Sequence, residues 1–254
     1  MAATVTELLG EADRLLDPGR FADYCVNGLQ VPAGADVETI ATGVSASGEL
    51  FERAAAAGAQ LLLVHHGLFW GRGVRAIDAT LRARLKILID ADIALAAYHL
   101  PLDAHPEIGN NALLGRALGA QRLDPFGREG SETIGFLARL PGVGVSTAVL
   151  VGQIEELTAR EPLVLGQGPE TVRSLAIVSG AGSDYLQEAA AAGAEALLTG
   201  EPNERAMAPA RELGIHLIAA GHYATETFGI RRLGDHLAER FGLRHTFIDV
   251  PNPV

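Results

Sequence analysis

The sequence predicts an α/β protein in which one strand–helix–strand unit is used twice, giving two similar α/β domains. Three observations predict it. First, Leu61 to Gly67, LLLVHHG, is an unbroken apolar run that ends in two adjacent histidines. That is the pattern of a strand buried on both faces of a sheet. Second, residues 43–67 and 178–202 share one order of strand, helix, glycine and strand; the first contains FERAAAAGAQLLLVHHG and the second LQEAAAAGAEALLTGEP. An alanine run alone carries little, because alanine is the best helix former. Third, the match resumes between residues 92–119 and 214–242. Each of these stretches holds an apolar strand, a histidine, an acid four residues later, and a glycine before an amphipathic helix. Each copy therefore brings its own His-x-x-x-acid pair, His99 with Asp103 and His222 with Glu226. The domains are expected at residues 1–122 and 123–254.

The elements follow in order. MAATVTELLGEADRLLD reads as an amphipathic helix with Thr4 or Thr6 as its N-cap. DYCVNGLQV, residues 23–31, carries an Asn27-Gly28 turn signal, either a plain loop or backbone and amide groups lining a pocket. ETIATGVS, residues 38–45, reads as a strand, and Ser47-Gly48 starts a helix that runs to Gly58. At the end of LLLVHH, His65 and His66 point to opposite faces while the strand continues. They converge if the backbone turns, and Gly67 permits an unusual turn. GLFWGRGVRAIDATLRARLK then fills a connection that is longer than its counterpart in the second copy. In the central segment PFGREGSET reads as loop, TIGFLARL as strand, VSTAVLVGQIEELTARE as helix and PLVLGQG as strand. PGVGVS lacks the flanking pattern of a nucleotide loop. SGAGSD, residues 179–184, lies between strand and helix and is read as a tight turn with Ser183 as N-cap rather than a phosphate cradle.

Composition narrows the function. With 254 residues, 48% of them apolar, the chain can bury a substantial core as one large domain or two small ones. No apolar run reaches the roughly 18–20 residues needed to cross a bilayer. The first residues carry acids where a signal peptide carries bases, so a cytoplasmic protein with no membrane association is expected. The single cysteine, Cys25, excludes an intramolecular disulfide and a thiolate metal cage, and is read as a buried small apolar residue. A net charge of -11 argues against nucleic acid as a partner.

The polar residues expected at the carboxyl ends of the strands are His65, His66, His99, Asp103, His222 and Glu226, with Glu201 and Glu204 nearby. Imidazoles and carboxylates without thiols suit Zn, Mn, Fe, Co or Ni, and such a set in a hydrolytic site commonly holds two divalent ions. A paired-repeat fold would place that dinuclear site in the cleft at the junction of the two copies. His236 and His245 are read as structural and His216 as a satisfied core residue. His105, before a proline, is expected at the mouth of the site.

HHG after an apolar strand, YHLPLDAH with IGNN, GHYATE with its following glycine, and NGLQV near the start resemble the NIF-three-like family of dinuclear-metal proteins. Members are often labelled type 2 GTP cyclohydrolase I. The likeness covers nearly the whole chain. It implies two α/β domains with a metal pair between them, and a hexamer built as a trimer of dimers. It implies metal ligands at His65, His66, Asp103, His222 and Glu226. The repeat alone would make His99 a ligand too; the family pattern places it behind the ligands, orienting one of them or a bound water, and that reading is adopted. The implied function is a metal-dependent hydrolase acting on a nucleotide or related compound. The rival is a metal-binding scaffold or metal-handling hexamer without catalysis.

Overall fold

Pairing between strands decides how the chain divides. The computed structural model describes residues 2–34, 36–71 and 76–254. Contacts separate two units, Met1–Leu102 with Gly229–Val250, and Asp103–Phe228 with Pro251–Val254. The cut falls at Leu102/Asp103 rather than at 122/123 because residues 103–121 pack with the hairpin and sheet of the second unit. The C-terminal strand, meanwhile, pairs back onto residues 39–42 of the first unit.

The first unit opens with helix α1 (Val5–Leu16). Thr4, not Thr6, is its N-cap. The Glu7 amide donates to Thr4 Oγ1, and the Thr4 amide donates to the Glu7 carboxylate at 2.9 Å, a capping box. Strands β1 (Gly28–Val31) and β2 (Thr39–Ser45) follow, then helix α2 (Gly48–Ala56) capped by Ser47. β3 (Leu61–His66) is the predicted apolar strand. Helix α3 (Ala79–Asp90) leads to β4 (Ala94–Ala97). The long connection of the first copy lies partly outside the described residues, at 72–75.

The five-residue helix α4 (Leu100–Ala104) carries the chain into the second unit, followed by α5 (Asn110–Ala117). Here β5 (Arg122–Glu129) and β6 (Glu132–Arg139) form a hairpin. PFGREGSET, expected as loop, lies mostly in these two strands. β5 is an edge strand, where a proline such as Pro125 costs no ladder bond to a second neighbour. β7 (Val145–Ser146) precedes helix α6 (Thr147–Thr158), then come β8 (Leu163–Gly166) and β9 (Thr171–Val172), which pairs with β7. The second copy of the unit comes next: β10 (Ser174–Val178), α7 (Leu186–Ala191), β11 (Ala196–Thr199), α8 (Met207–Leu213), β12 (His216–Ala219) and the short α9 (His222–Thr225). Ser183 does not cap a helix; its hydroxyl donates to the Glu201 carbonyl at 2.6 Å. Helix α10 (Thr227–Phe241) and β13 (Arg244–Phe247) complete the chain.

The first sheet has the order β1-β4-β3-β2-β13, parallel except for β1. The second has the order β5-β6-β10-β11-β12-β8, with β10, β11 and β12 parallel and β6 and β8 antiparallel beside them. Read as β1-β4-β3-β2 and β8-β12-β11-β10, both sheets set one antiparallel strand against the last of three parallel ones. Each unit has its own core: Phe51, Leu62, Val64 and Leu95 in the first, and Leu150, Leu175, Ile177, Leu198 and Ile218 in the second. Among the described residues no helix is long and apolar enough to cross a membrane.

One ion cluster ties α1 to α10. The buried Glu11 carboxylate accepts from Arg14 at 2.7 Å and from His236 at 2.9 Å, with Arg240 at 3.3 Å. The Arg14 hydrogen bond, ahead of the opposing effect of burial, brings Glu11 from 4.5 down to about 2. A depressed carboxyl stabilises the fold above its unfolded value and loses that contribution as pH falls through the folded one. Both arginines are exposed, so screening keeps the effect modest. Glu11→Gln is expected to cost about 1–2 kcal/mol at neutral pH. Urea melts should show the gap to the parent shrinking as pH falls from 4.5 toward about 2. A gap independent of pH would assign the loss to packing.

Candidate metal centre

Parallel α/β sheets gather ligands at the carboxyl ends of their strands. β3 and β4 are parallel neighbours in the first unit, and their carboxyl ends carry His65-His66 and Tyr98-His99. His65 is fully buried, His99 nearly so, and His66 half-buried. The three rings pack together, with centroids 4.8 Å apart for His65–His66, 5.1 Å for His65–His99 and 5.5 Å for His66–His99. One ligand nitrogen from each lies within 4.8 Å of the others, a set able to hold a metal ion.

Each outer nitrogen has a partner that turns its ring. His65 Nδ1 is 2.9 Å from the Tyr98 carbonyl, which can only accept. The proton therefore sits on Nδ1, and Nε2 keeps its lone pair. His66 Nδ1 meets Ser45 Oγ at 3.0 Å, one strand over on β2. His99 Nδ1 meets Asp23 Oδ1 at 2.9 Å, the carboxylate–histidine arrangement typical behind a metal ligand. Asp23 also accepts from the Asn27 side chain at 3.0 Å and the Leu100 amide at 2.9 Å, while Asn27 Oδ1 accepts from the His99 amide at 2.8 Å. Burial alone would raise the Asp23 carboxyl; His99 and Asn27 outweigh it and hold it below the usual carboxylate range. So the NGLQV region does supply amide groups to the site. His99 thus has a possible ligand atom within 4.8 Å of those of His65 and His66 and its Nδ1 beside Asp23.

Gly67 acts differently from expectation. Its backbone is not left-handed. A Cβ there would instead run into the Gln30 carboxamide, with Oε1 at 2.6 Å. Gln30 accepts from the Leu68 amide and donates to the Val26 carbonyl, both at 2.7 Å, and so fastens the turn after His66 to β1.

The second unit presents carboxylates. Asp103 Oδ1 accepts from Asn110 Nδ2 at 2.8 Å and from Ser179 Oγ at 3.2 Å. Asn110 and Asn111 are fully buried. Asn111 in turn accepts from the Ser179 amide at 2.7 Å. Both donors converge on one Asp103 oxygen, and the IGNN stretch thereby fixes the orientation of the carboxylate. Carboxylate oxygens of Asp103 and Glu226 lie within 4.8 Å of each other, as do ligand atoms of His222 and Glu226. His222 stands between Glu226, 3.3 Å from Nε2, and Glu201, 3.5 Å from Nδ1. Burial alone would lower this imidazole; the two carboxylates outweigh it and raise it. A site that stabilises a proton between carboxylates fits a cation by the same electrostatics. The donor sets of both units, neutral imidazole nitrogens and carboxylate oxygens, therefore suit a borderline divalent ion.

The remaining candidates are structural. His105 Nδ1 accepts from the Glu107 and Ile108 amides, each at 3.1 Å, and caps a turn. His216 meets the Pro169 carbonyl at 3.0 Å. Glu204 is exposed at the start of a short 3₁₀ turn. Thr42, His245 and Asp235 form a hydroxyl–imidazole–carboxylate chain at 2.8 and 2.7 Å, but Thr42 is fully buried in β2 and its hydroxyl meets no substrate. Cys25 is buried, and burial raises its thiol.

Comparison with known proteins gives a consistent picture. Residues 3–253 match the family model described as Duf34/NIF3 (NGG1p interacting factor 3). A "GTP cyclohydrolase 1 type 2 homolog" of Pseudomonas aeruginosa is 44% identical over 254 residues, covering 100% of both chains. A solved structure of protein ybgI, described as of unknown function, is 42% identical with a TM-score of 0.90, covering 98% of this chain and 99% of that one. Protein TTHA1606 of Thermus thermophilus is 36% identical with a TM-score of 0.90 over the same shares.

Proposed function

The chain belongs to the Duf34/NIF3 family, and from that premise we propose a metal-dependent hydrolase with a dinuclear centre, acting on a nucleotide or related compound. The observation that carries the proposal is the group of His65, His66 and His99, each with its Nδ1 beside a hydrogen-bonding partner and one ligand nitrogen within 4.8 Å of those of the others. Imidazoles held this way are prepared for a cation before one arrives.

In this reading the imidazoles of one unit and Asp103, His222 and Glu226 of the other form one centre for two divalent ions. Chain connectivity supports it. Asp103 begins the second unit only four residues after His99, and Glu226 stands just before the chain returns at Phe228/Gly229. Four residues span at most about 14 Å, so His99 and Asp103, on either side of the first crossing, stay within that reach of each other along the chain. The matching strand orders of the two sheets support descent from a duplicated unit. When bound, the cations would supply Lewis-acid chemistry, polarising an electrophile and activating water near neutral pH. The protein's own groups prepare that step. Asp23 keeps the His99 proton on Nδ1, Asn110 and Ser179 fix the Asp103 carboxylate, and Glu201 and Glu226 flank His222. The resemblance that suggests the hydrolase also suggests a hexamer, which light scattering tests; a monomer at micromolar concentration overturns it.

Elemental analysis of purified protein with a hydrolysis panel of GTP, other nucleotides and phosphoesters tests the function. Glu226→Gln is expected to lose both metal and turnover. Turnover persisting after the metal is stripped overturns the proposal. A fully metallated protein silent on every substrate assigns the site to scaffolding or metal handling instead.

A further inference from the structure

Beside the imidazole group, the first unit exposes aromatic surface. Trp70 is 40% exposed and Tyr24 60% exposed. Both meet His99 edge-on, with centroids at 5.2 and 5.3 Å and interplanar angles of 79° and 74°. Trp70 also lies 5.8 Å from the His66 ring and 5.4 Å from Tyr24. Large aromatic side chains usually bury their faces, and an exposed cluster marks a binding surface.

The backbone that carries both rings, and the indole itself, are held in place. Cys25 and Trp70 form an antiparallel bridge, flanked by the Val26 amide donating to the Phe69 carbonyl at 3.1 Å and the Gly71 amide donating to the Tyr24 carbonyl at 2.5 Å. Trp70 Nε1 donates to the Gly67 carbonyl at 2.9 Å, which sets the plane of the indole. That carbonyl belongs to the turn after His66. The indole and the imidazoles are therefore registered to one another through the HHG corner itself.

The surroundings define what would bind. Val26 and Leu29 extend the surface, 40% and 45% exposed. Residues 24–31, YCVNGLQV, carry no charged side chain. Asp23, next to them, is engaged with His99, Asn27 and two backbone amides. The described part of this π surface is uncharged and is suited to a flat unsaturated ring, which it can stack without a sequence of specific hydrogen bonds. The geometry points to Trp70 and Tyr24 as a stacking shelf that receives a neutral planar heterocycle, such as a nucleobase, and sets it against the imidazole side of the metal centre. This inference rests on the proposed function and deepens it: it assigns the ring-bearing half of the substrate to named residues of the first unit.

Trp70 is the only tryptophan in the chain, so its emission reports the shelf alone. The experiment titrates full-length protein, metal-loaded and metal-stripped, with guanosine and adenosine, using ribose as the ring-free control. Saturable quenching by the nucleosides and none by ribose is expected. Calorimetry on Trp70→Leu should show nucleoside binding weakened about 10-fold or more, while Trp70→Phe retains most of it. Melting curves confirm that both variants fold. No saturable quenching, or unchanged affinity in Trp70→Leu, overturns the shelf. Emission that shifts with protein dilution in the absence of ligand also overturns it, by assigning the surface to contact between copies. The two proposals fail separately. Turnover of a ring-free phosphoester without quenching removes the shelf and leaves the hydrolase; nucleoside binding without any turnover removes the hydrolase and leaves the shelf.

Discussion

His65→Ala is expected to weaken metal binding by well over the ~10–100-fold that loss of a mere orienting partner costs. His65 is fully buried, and its Nδ1 proton is committed to the Tyr98 carbonyl. Its Nε2 is therefore the nitrogen that keeps a lone pair for a cation. The same measurement decides the role of His99. If His99 is a ligand, His99→Ala falls as far as His65→Ala. If it only orients another group, the loss stays within about 10–100-fold. Asp23→Asn calibrates the scale. It keeps the shape behind His99 but replaces an ionic acceptor with a neutral one, so it should fall within the orienting range whichever role His99 has. Isothermal titration with Zn or Mn on the three variants gives the comparison. His65→Ala binding metal as tightly as the parent would remove the imidazole group from the centre.

The three variants matter because two readings of the same residues diverge at His99. The repeat of His-x-x-x-acid pairs makes it a ligand, and the family pattern places it behind the ligands. The structure puts its ligand atom within 4.8 Å of those of His65 and His66 and gives its other nitrogen to Asp23. That arrangement is compatible with either role, and the metal titrations decide between them. Asp23 is invisible in the sequence because it lies 76 residues away from His99, and no local pattern links them. The same holds for Ser45 behind His66 and Ser179 behind Asp103. The strands themselves are legible. An apolar run such as LLLV needs only burial on both sides to become a central parallel strand, and the histidines at its end follow from chain order. PFGREG misleads because proline and glycine mark turns on average, while at the sheet edge β5 tolerates both. The domain boundary is illegible for a similar reason. The return of α10 and β13 to the first sheet depends on a pairing with β2 that bridges most of the chain. Local propensity and periodicity thus give the elements, and tertiary pairing decides which residues stand behind the ligands.

Gly180→Ala is expected to weaken metal binding at Glu226 and His222 while leaving the fold in place. Gly180 follows β10, and its carbonyl accepts from the Gly200 amide at 2.8 Å and the Glu201 amide at 2.9 Å, drawing the carboxyl ends of β10 and β11 together. The closeness leaves no room for a side chain. A Cβ at Gly180 would overlap Glu226 Oε1 and stand 3.0 Å from His222 Nε2. Its φ of +60° adds strain of about 1 kcal/mol for any residue with a Cβ. Two effects are therefore mixed, and Gly193 separates them. It too has a positive φ, +78°, but nothing lies within 4 Å of where its Cβ would be. Gly193→Ala should lose about 1 kcal/mol of stability in urea and no metal affinity. Gly180→Ala should show a comparable or larger loss of stability together with metal binding weakened at least ~10-fold, because Glu226 and His222 have to move. Equal metal affinity in the two variants would mean that Glu226 is not held where a cation needs it. The SGAGSD loop would then return to being a turn and nothing more.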